Sequence, residues 1–233
     1  MQININKLGL NYNKDMDKYI KQLPFYDHLS KKEKEDIIKF SNTKSYSKGT
    51  LIHSNDNECL GLIMLIKGSI RIYMLSDEGK EITLYNIEEN DIEVLSASCV
   101  FNQITFDTEL IAKEDCKLLI VSVNYLSKLI EENIYVRSYV YESLADRFSD
   151  VMWSIQQILF FKIDQRIASY LIDKANKEKT LTLSTTQENI ALEINSAREV
   201  VTRMLKKFQK EKLIEINRKE ITIIDKENLL KII

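Results

Sequence analysis

Residues Thr185 to Lys207 read TTQENIALEINSAREVVTRMLKK. Stepping 100° per residue from Ala197 puts Ala197, Val200, Val201, Met204, Leu205 and Phe208 within one arc of about 140°. Glu199, Thr202, Arg203 and Lys206 fall opposite, with Arg198 at the edge. One face is built for a core and the other is polar. Upstream, Thr185 with Glu188 makes a capping box, with Thr186 as a rival N-cap, and Ile190, Ala191 and Ile194 give a shorter helix its apolar face. Asn195 tolerates the left-handed conformation, and Ser196 is suited to cap the next helix. Helix, tight turn, helix is the helix-turn-helix unit. Ala191 is small where the helices touch, Asn195 suits the turn four residues on, and β-branched Val201 suits the packing six further.

A polar face of Arg198, Glu199 and Arg203 is also what an ordinary solvated helix shows, with Glu199 and Arg203 as an i,i+4 pair. The setting favours DNA. Residues 162–233 hold 15 Lys+Arg against 11 Asp+Glu, a net of +4, while residues 1–161 hold 18 against 24, a net of −6. A basic C-terminal part beside an acidic N-terminal part suits an anionic partner for the former. Arg forks match guanine O6 and N7, and a Glu carboxylate accepts from cytosine N4. Thr185, Thr186, Gln187, Ser196, Lys206, Lys207, Lys210 and Arg218 carry groups suited to phosphates.

The rest of the 233 residues is organised around this unit. Hydrophobic content of 44% and charge of 29% describe a chain with a real core. Ser30 and Glu33 make a capping box within FYDHLSKKEKEDIIKF (25–40). From Tyr46 to Ser122, short β-branched or aromatic runs alternate with turn signals, a sandwich or barrel pattern. From Asn124 onward there is no Gly or Pro. In the long helix RSYVYESLADRFSDVMWSIQQILFF (137–161), Val140, Leu144, Val151 and Ile158 follow an a/d rhythm that Arg147 and Ser154 break. That stripe is either a dimer seam or a face packed on the chain's own sheets. A second helix starts near Asp164, and LIEINRKEITIID (213–225) reads as two strands around an Asn217–Lys219 turn.

No apolar run reaches the roughly 18 residues of a membrane span, and the start MQININKLGLNYNK lacks an apolar h-region, so a cytoplasmic protein is expected. Cys59, Cys99 and Cys116 form no CxxC pair, and buried thiols are the expectation. A metalloenzyme on the barrel would need several His or carboxylate ligands, whereas the chain has only His28 and His53. No enzyme activity and no metal site are expected.

The runs KGSIRIY, DEGKEITLY, EEND, FKIDQRIASYL and TTQENIALEINSAREVVTRMLKKFQKEKLIEI together resemble the CRP/FNR superfamily of bacterial transcription regulators, over about residues 20–231. The resemblance implies an α+β chain in three parts. Residues 1–124 would form a jelly-roll-like, double-stranded β-barrel sensor of the cyclic-nucleotide-binding type. Residues 125–161 would hold the dimerisation helix and 162–233 a winged helix-turn-helix. Arg198, Glu199 and Arg203 match its base-reading positions, and Thr202 matches a position used in the FNR branch. A homodimer on an inverted-repeat operator is implied, with half-sites about 34 Å apart, and RNA polymerase is implied as a partner.

The family's nucleotide cassette has a Gly-Glu pair and, about ten residues on, an Arg-Ser or Arg-Ala pair. In DIEVLSASCVFNQITFDTELIA (91–112) the first pair falls near Leu95 and Ser96, and the second on Phe106 and Asp107. A cyclic phosphate loses its counter-charge there and meets a carboxylate, so cAMP is not expected. Ser96, Ser98, Cys99, Phe106 and Asp107 are the candidate effector-pocket residues. The absence of Cys before Cys59 argues against an iron–sulfur cluster. Haem would draw an axial ligand from His28, His53, Cys99 or a Met. Cys99 as a redox thiol competes with a packed core Cys.

Overall fold

The computed structural model describes residues 14–54, 60–94 and 108–233. Two compact units divide the chain. One is built from residues up to Arg71 together with Ile87–Arg147, the other from Ile72–Asn86 together with Phe148–Ile233.

The N-terminal helices α1 (Lys14–Ile20) and α2 (Lys31–Lys39) flank a single 3₁₀ turn, Tyr26–His28. The Ser30 capping box is present: the Ser30 hydroxyl accepts from the Glu33 amide at 3.3 Å, and the Glu33 carboxylate accepts from the Ser30 amide at 2.6 Å. Among the described residues eight strands follow: β1 (Ser41–Tyr46), β2 (Leu51–His53), β3 (Leu62–Lys67), β4 (Ser69–Leu75), β5 (Glu81–Glu88), β6 (Ile92–Val94), β7 (Glu109–Ala112) and β8 (Cys116–Val121). They make two four-stranded sheets in the orders β1-β8-β3-β6 and β2-β7-β4-β5. Strand β3 pairs antiparallel with both β8 and β6, and every residue from Leu62 to Ile66 is buried. A continuous apolar run of this kind belongs to a strand covered on both faces. Ile20, Phe25, Ile37, Leu62, Met64, Val121, Leu126 and Val136 share the core of this unit.

Gly61, at φ +91°, is where the chain enters β3 against the β8 turn. A Cβ there would sit 2.3 Å from the Val121 carbonyl oxygen and 2.6 Å from the Val123 nitrogen, both backbone atoms. Gly61→Ala is therefore expected to cost about 1–3 kcal/mol through overpacking and positive-φ strain. A lowered thermal midpoint of the full chain would show it.

Two helices follow the strands: α3 (Val123–Glu132) and the 27-residue α4 (Ile134–Phe160). The N-terminal half of the a/d stripe read from the sequence, Val140 and Leu144, faces inward. Val140 is 0% exposed and sits in the core of the first unit, with Leu144 packed against that core. Arg147 places Nε 2.6 Å from the buried Glu93 carboxylate on β6. The Ser154 hydroxyl donates to the Leu84 carbonyl on β5 at 2.5 Å. Val151 and Ile158 are half-buried. Arg147 and Ser154 thus break the rhythm because they meet polar groups of the strands. For Val140 and Leu144, packing within the chain is the reading observed, and Val140 is removed from any seam. Tyr141, Phe148, Met152, Ile155 and Leu159, one residue further round, are exposed instead.

After α5 (Ile163–Glu178), a short strand β9 (Thr182–Ser184) precedes α6 (Gln187–Glu193) and α7 (Arg198–Lys210). The hairpin β10 (Ile214–Asn217) and β11 (Glu220–Ile223) turns at Arg218–Lys219, with Lys219 at φ +63°. The three strands make one antiparallel sheet, β10-β11-β9, and α8 (Lys226–Leu230) follows. Ile167, Leu171, Leu183, Ile190, Val201, Leu205, Phe208 and Ile221 form a second core. The architecture is the expected one: an N-terminal antiparallel sheet domain, a long helix, and a C-terminal winged helix-turn-helix. No described helix is long and apolar enough to cross a membrane.

Candidate nucleic-acid interface

The helix-turn-helix is assembled by short-range bonds. Thr186, the rival cap, is the N-cap of α6: its hydroxyl accepts from the Asn189 amide at 3.1 Å. Thr185 lies outside the helix, is 4% exposed, and places its hydroxyl 3.2 Å from the Tyr170 hydroxyl. Its amide donates to the Lys219 carbonyl at 3.1 Å, which ties the wing to the helix pair. The Thr185 hydroxyl is thus engaged within the protein, and Thr185 lines the cleft between wing and helices. Burial raises the Tyr170 phenol above its ordinary range, an effect its bond to Thr185 partly offsets.

Helix α6 ends in a Schellman closure. The Ser196 amide donates to the Ala191 carbonyl at 2.9 Å and the Asn195 amide to that of Leu192 at 3.3 Å, with Asn195 left-handed at φ +54°. Ser196 belongs to this closure, so Ala197 is the N-cap of α7 and brings no side-chain bond. The expected Ser196 cap is thereby corrected. Ala191 and Val201 are buried where α6 meets α7, as their sizes required.

Along α7, Arg198, Glu199 and Arg203 are exposed on one face, while Val201, Leu205 and Phe208 are buried on the other. Thr202 is half-buried, and its hydroxyl lies 2.7 Å from Gln187 Oε1 and 2.8 Å from the Arg198 carbonyl. Its one hydroxyl hydrogen is engaged inside the protein. Thr202 therefore joins α6 to α7, and with its oxygen held Gln187 keeps its NH₂ for an outside acceptor. Lys206, Lys207 and Lys210 are exposed along the same helix and Arg218 and Lys219 at the wing tip. The Lys207 ammonium lies 3.9 Å from Glu211, an exposed pair that yields readily to a phosphate. A cleft of about 270 Å³ between wing and helices is lined by Thr186, Gln187, Arg198, Asn217 and Lys219. The geometry is that of a base-reading helix beside backbone-binding groups.

Some contacts here were not read from the sequence. The Arg166 guanidinium donates to the Ile194 and Asn195 carbonyls, the latter at 3.1 Å, and so meets the C-terminal end of α6. Asn195, singled out for its backbone, also spends its side chain on Thr83. Across 112 residues, no local signal could have shown it.

The proposed effector-pocket residues Ser96, Ser98, Cys99, Phe106 and Asp107 lie outside the described residues, as does Cys59. Cys116 is buried, and its thiol donates to the Ser69 carbonyl at 3.3 Å. His28 is exposed and stacks on Tyr135 with ring centroids 4.0 Å apart, and His53 is half-buried on β2. Among the described residues there is no cluster of three or more His, Cys, Asp or Glu able to hold a metal.

Comparison with known proteins agrees with this geometry. Residues 165–232 match the Crp-like helix-turn-helix domain and residues 43–133 the cyclic nucleotide-binding domain. The cAMP-activated global transcriptional regulator CRP of Pasteurella multocida is 26% identical over 76% of this chain and 87% of its own length. The cAMP-activated regulator Vfr of Pseudomonas aeruginosa is 22% identical over 88% of this chain and 97% of its own length. The crystal structure of a Crp/Fnr-family protein from Eubacterium rectale superposes with a TM-score of 0.84 at 39% identity, covering 91% of this chain and 98% of that one. These relatives are transcription regulators, not enzymes. A nucleotide-binding-type sheet domain, a long helix and a Crp-like helix-turn-helix in one chain, with the Eubacterium rectale likeness over nearly its whole length, place the protein in the CRP/FNR family of DNA-binding transcription regulators.

Proposed function

We propose that the protein acts as a homodimer reading an inverted-repeat operator, one α7 entering the major groove at each half-site, under the control of an effector other than cAMP. The observation that carries the reading is the single exposed face holding Arg198, Glu199 and Arg203, with cations along the same helix and at the wing tip. The second copy is supported by α4, where Phe148, Met152, Ile155 and Leu159 are exposed at 4-3-4 spacing. The non-cAMP effector is supported by sequence: Phe106 and Asp107 stand where the phosphate-binding pair would be. RNA polymerase is the protein partner such a regulator would meet.

Selection of genomic fragments by the purified protein, followed by sequencing, tests this reading. Recovery of one inverted-repeat motif is expected, and addition of cAMP leaves its affinity unchanged. Recovery of unrelated fragments under every condition would overturn it. Arg203→Ala is expected to cost about 1–3 kcal/mol at the operator and to relax selectivity at one base pair. Lys206→Ala is expected to weaken operator and random DNA alike and to shallow the salt dependence by about one counterion. Equal losses on both DNAs for Arg203→Ala would remove it from base reading.

A further inference from the structure

The unit that contains the helix-turn-helix also contains Ile72–Asn86, most of the β4–β5 hairpin. Strand β5 is the last strand of its sheet among the described residues. The Thr83 amide donates to Asn195 Oδ1 at 2.6 Å, and the Thr83 carbonyl accepts from Asn195 Nδ2 at 2.9 Å. The side-chain amide thus satisfies both backbone groups of one residue, as a neighbouring strand would. The Thr83 hydroxyl donates to the Leu192 carbonyl at 2.8 Å, and Asn86 Nδ2 donates to the Glu193 carboxylate at 2.7 Å. Thr83 is 4% exposed, so its own end of these bonds is shielded from water. The docked turn is also gripped from behind by Arg166 on α5, and β5 is tied to α4 by Ser154.

We propose that the Asn195 side chain docks the helix-turn-helix turn on the edge of β5, so that the β4–β5 hairpin and the recognition helix move as one body. Asn195 then has two roles: its backbone makes the left-handed turn, and its side chain is the coupling element. Arg198, Glu199 and Arg203 are exposed while the turn is docked, so the dock holds the reading face in a presented arrangement. Displacement of the hairpin shifts α7, and by linkage DNA on α7 restrains the hairpin. The consequence for DNA rests on the function proposed above, whereas the dock itself does not.

Asn195→Gly separates the two roles, because glycine keeps the positive φ and loses the amide. In the full-length protein without DNA, hydrogen exchange of the Thr83 amide is expected to accelerate at least ~10-fold, with the Val201 and Leu205 amides unchanged. An unchanged Thr83 rate would overturn the dock, whatever DNA the protein binds. On the operator, Asn195→Gly is expected to weaken binding roughly 5- to 30-fold. Thr83→Val, which removes the hydroxyl that bonds Leu192 and keeps the Thr83 backbone groups, is expected to weaken it less. The double variant is expected to lose less than the two single losses combined. Unchanged or tighter operator binding by Asn195→Gly, or fully additive losses, would overturn the coupling.

Discussion

Replacing Phe208 with alanine lowers the stability of the helix-turn-helix and wing by about 3–5 kcal/mol. Phe208 is fully buried and is among the largest side chains in the core it shares with Leu205, Leu213 and Ile221. It stands on the last turns of α7, where the chain leaves the recognition helix for β10, and the Leu213 amide donates to its carbonyl at 2.9 Å. Truncation leaves a cavity between helix and wing that the rigid hairpin fills poorly. A loss of this size is a large share of the total stability of a domain. The amides of Leu205 and Ile221 are therefore expected to exchange faster by several hundredfold or more, while those of Leu62 and Met64 in the other core keep their rates. Phe208→Leu, which retains most of the volume, is expected to cost less than about 1.5 kcal/mol. A loss below about 1 kcal/mol for the alanine variant would show that this core is not what holds α7 to the wing.

The helix-turn-helix was legible because its geometry is local. Ala191, Asn195 and Val201 lie within eleven residues, and each answers one steric requirement: close approach, positive φ, β-branched packing. The errors there were also local. Thr185 and Thr186 are equally good caps on paper. The neighbours decide between them: the Thr185 hydroxyl lies against the Tyr170 hydroxyl and its amide donates to the wing's Lys219 carbonyl, while the Thr186 hydroxyl accepts from Asn189. Ser196 loses its capping role because it closes the Schellman turn and α7 starts one residue later than expected, with Ala197 at the cap. Thr202 faces the polar side as the wheel placed it, yet Gln187 comes within 2.7 Å and engages its hydroxyl. Such facts depend on the neighbouring element, which periodicity does not describe. The dock between Thr83 and Asn195 is the extreme case.

The long helix shows the same limit, because α4 carries two stripes at heptad spacing, one residue apart. Positions 140, 144, 147, 151, 154 and 158 make the first, and 141, 145, 148, 152, 155 and 159 the second. Periodicity gives both equal standing. Only the neighbours decide, and they place Val140 and Leu144 against the chain's own core and Arg147 and Ser154 on strand groups. The two polar interruptions were the available clue, since a dry helix-helix seam tolerates an Arg poorly whereas a helix lying on a sheet can pair it.

Phe148→Asp is accordingly expected to turn the protein into a monomer while leaving each chain folded. Phe148 is 67% exposed, as is Leu159, so a carboxylate there meets no packed neighbour within its own chain. In a parallel pair of α4 helices it would face its own copy, two like charges taken out of water together. Sedimentation at micromolar concentration is expected to give one chain per particle, with the circular dichroism and melting of a folded protein. Operator binding is expected to fall by roughly 10²–10⁴-fold, the avidity lost when two half-sites are no longer engaged by linked heads. Binding of one chain to random DNA falls far less, because Lys206, Lys207 and the wing are untouched. Val140→Asp is the matched contrast. Its carboxylate would lie in the chain's own core, so the expected result is unfolding of the first unit. A Phe148→Asp protein that stays dimeric would place the seam off this stripe, and a folded monomeric Val140→Asp protein would return it to the stripe first read from the sequence.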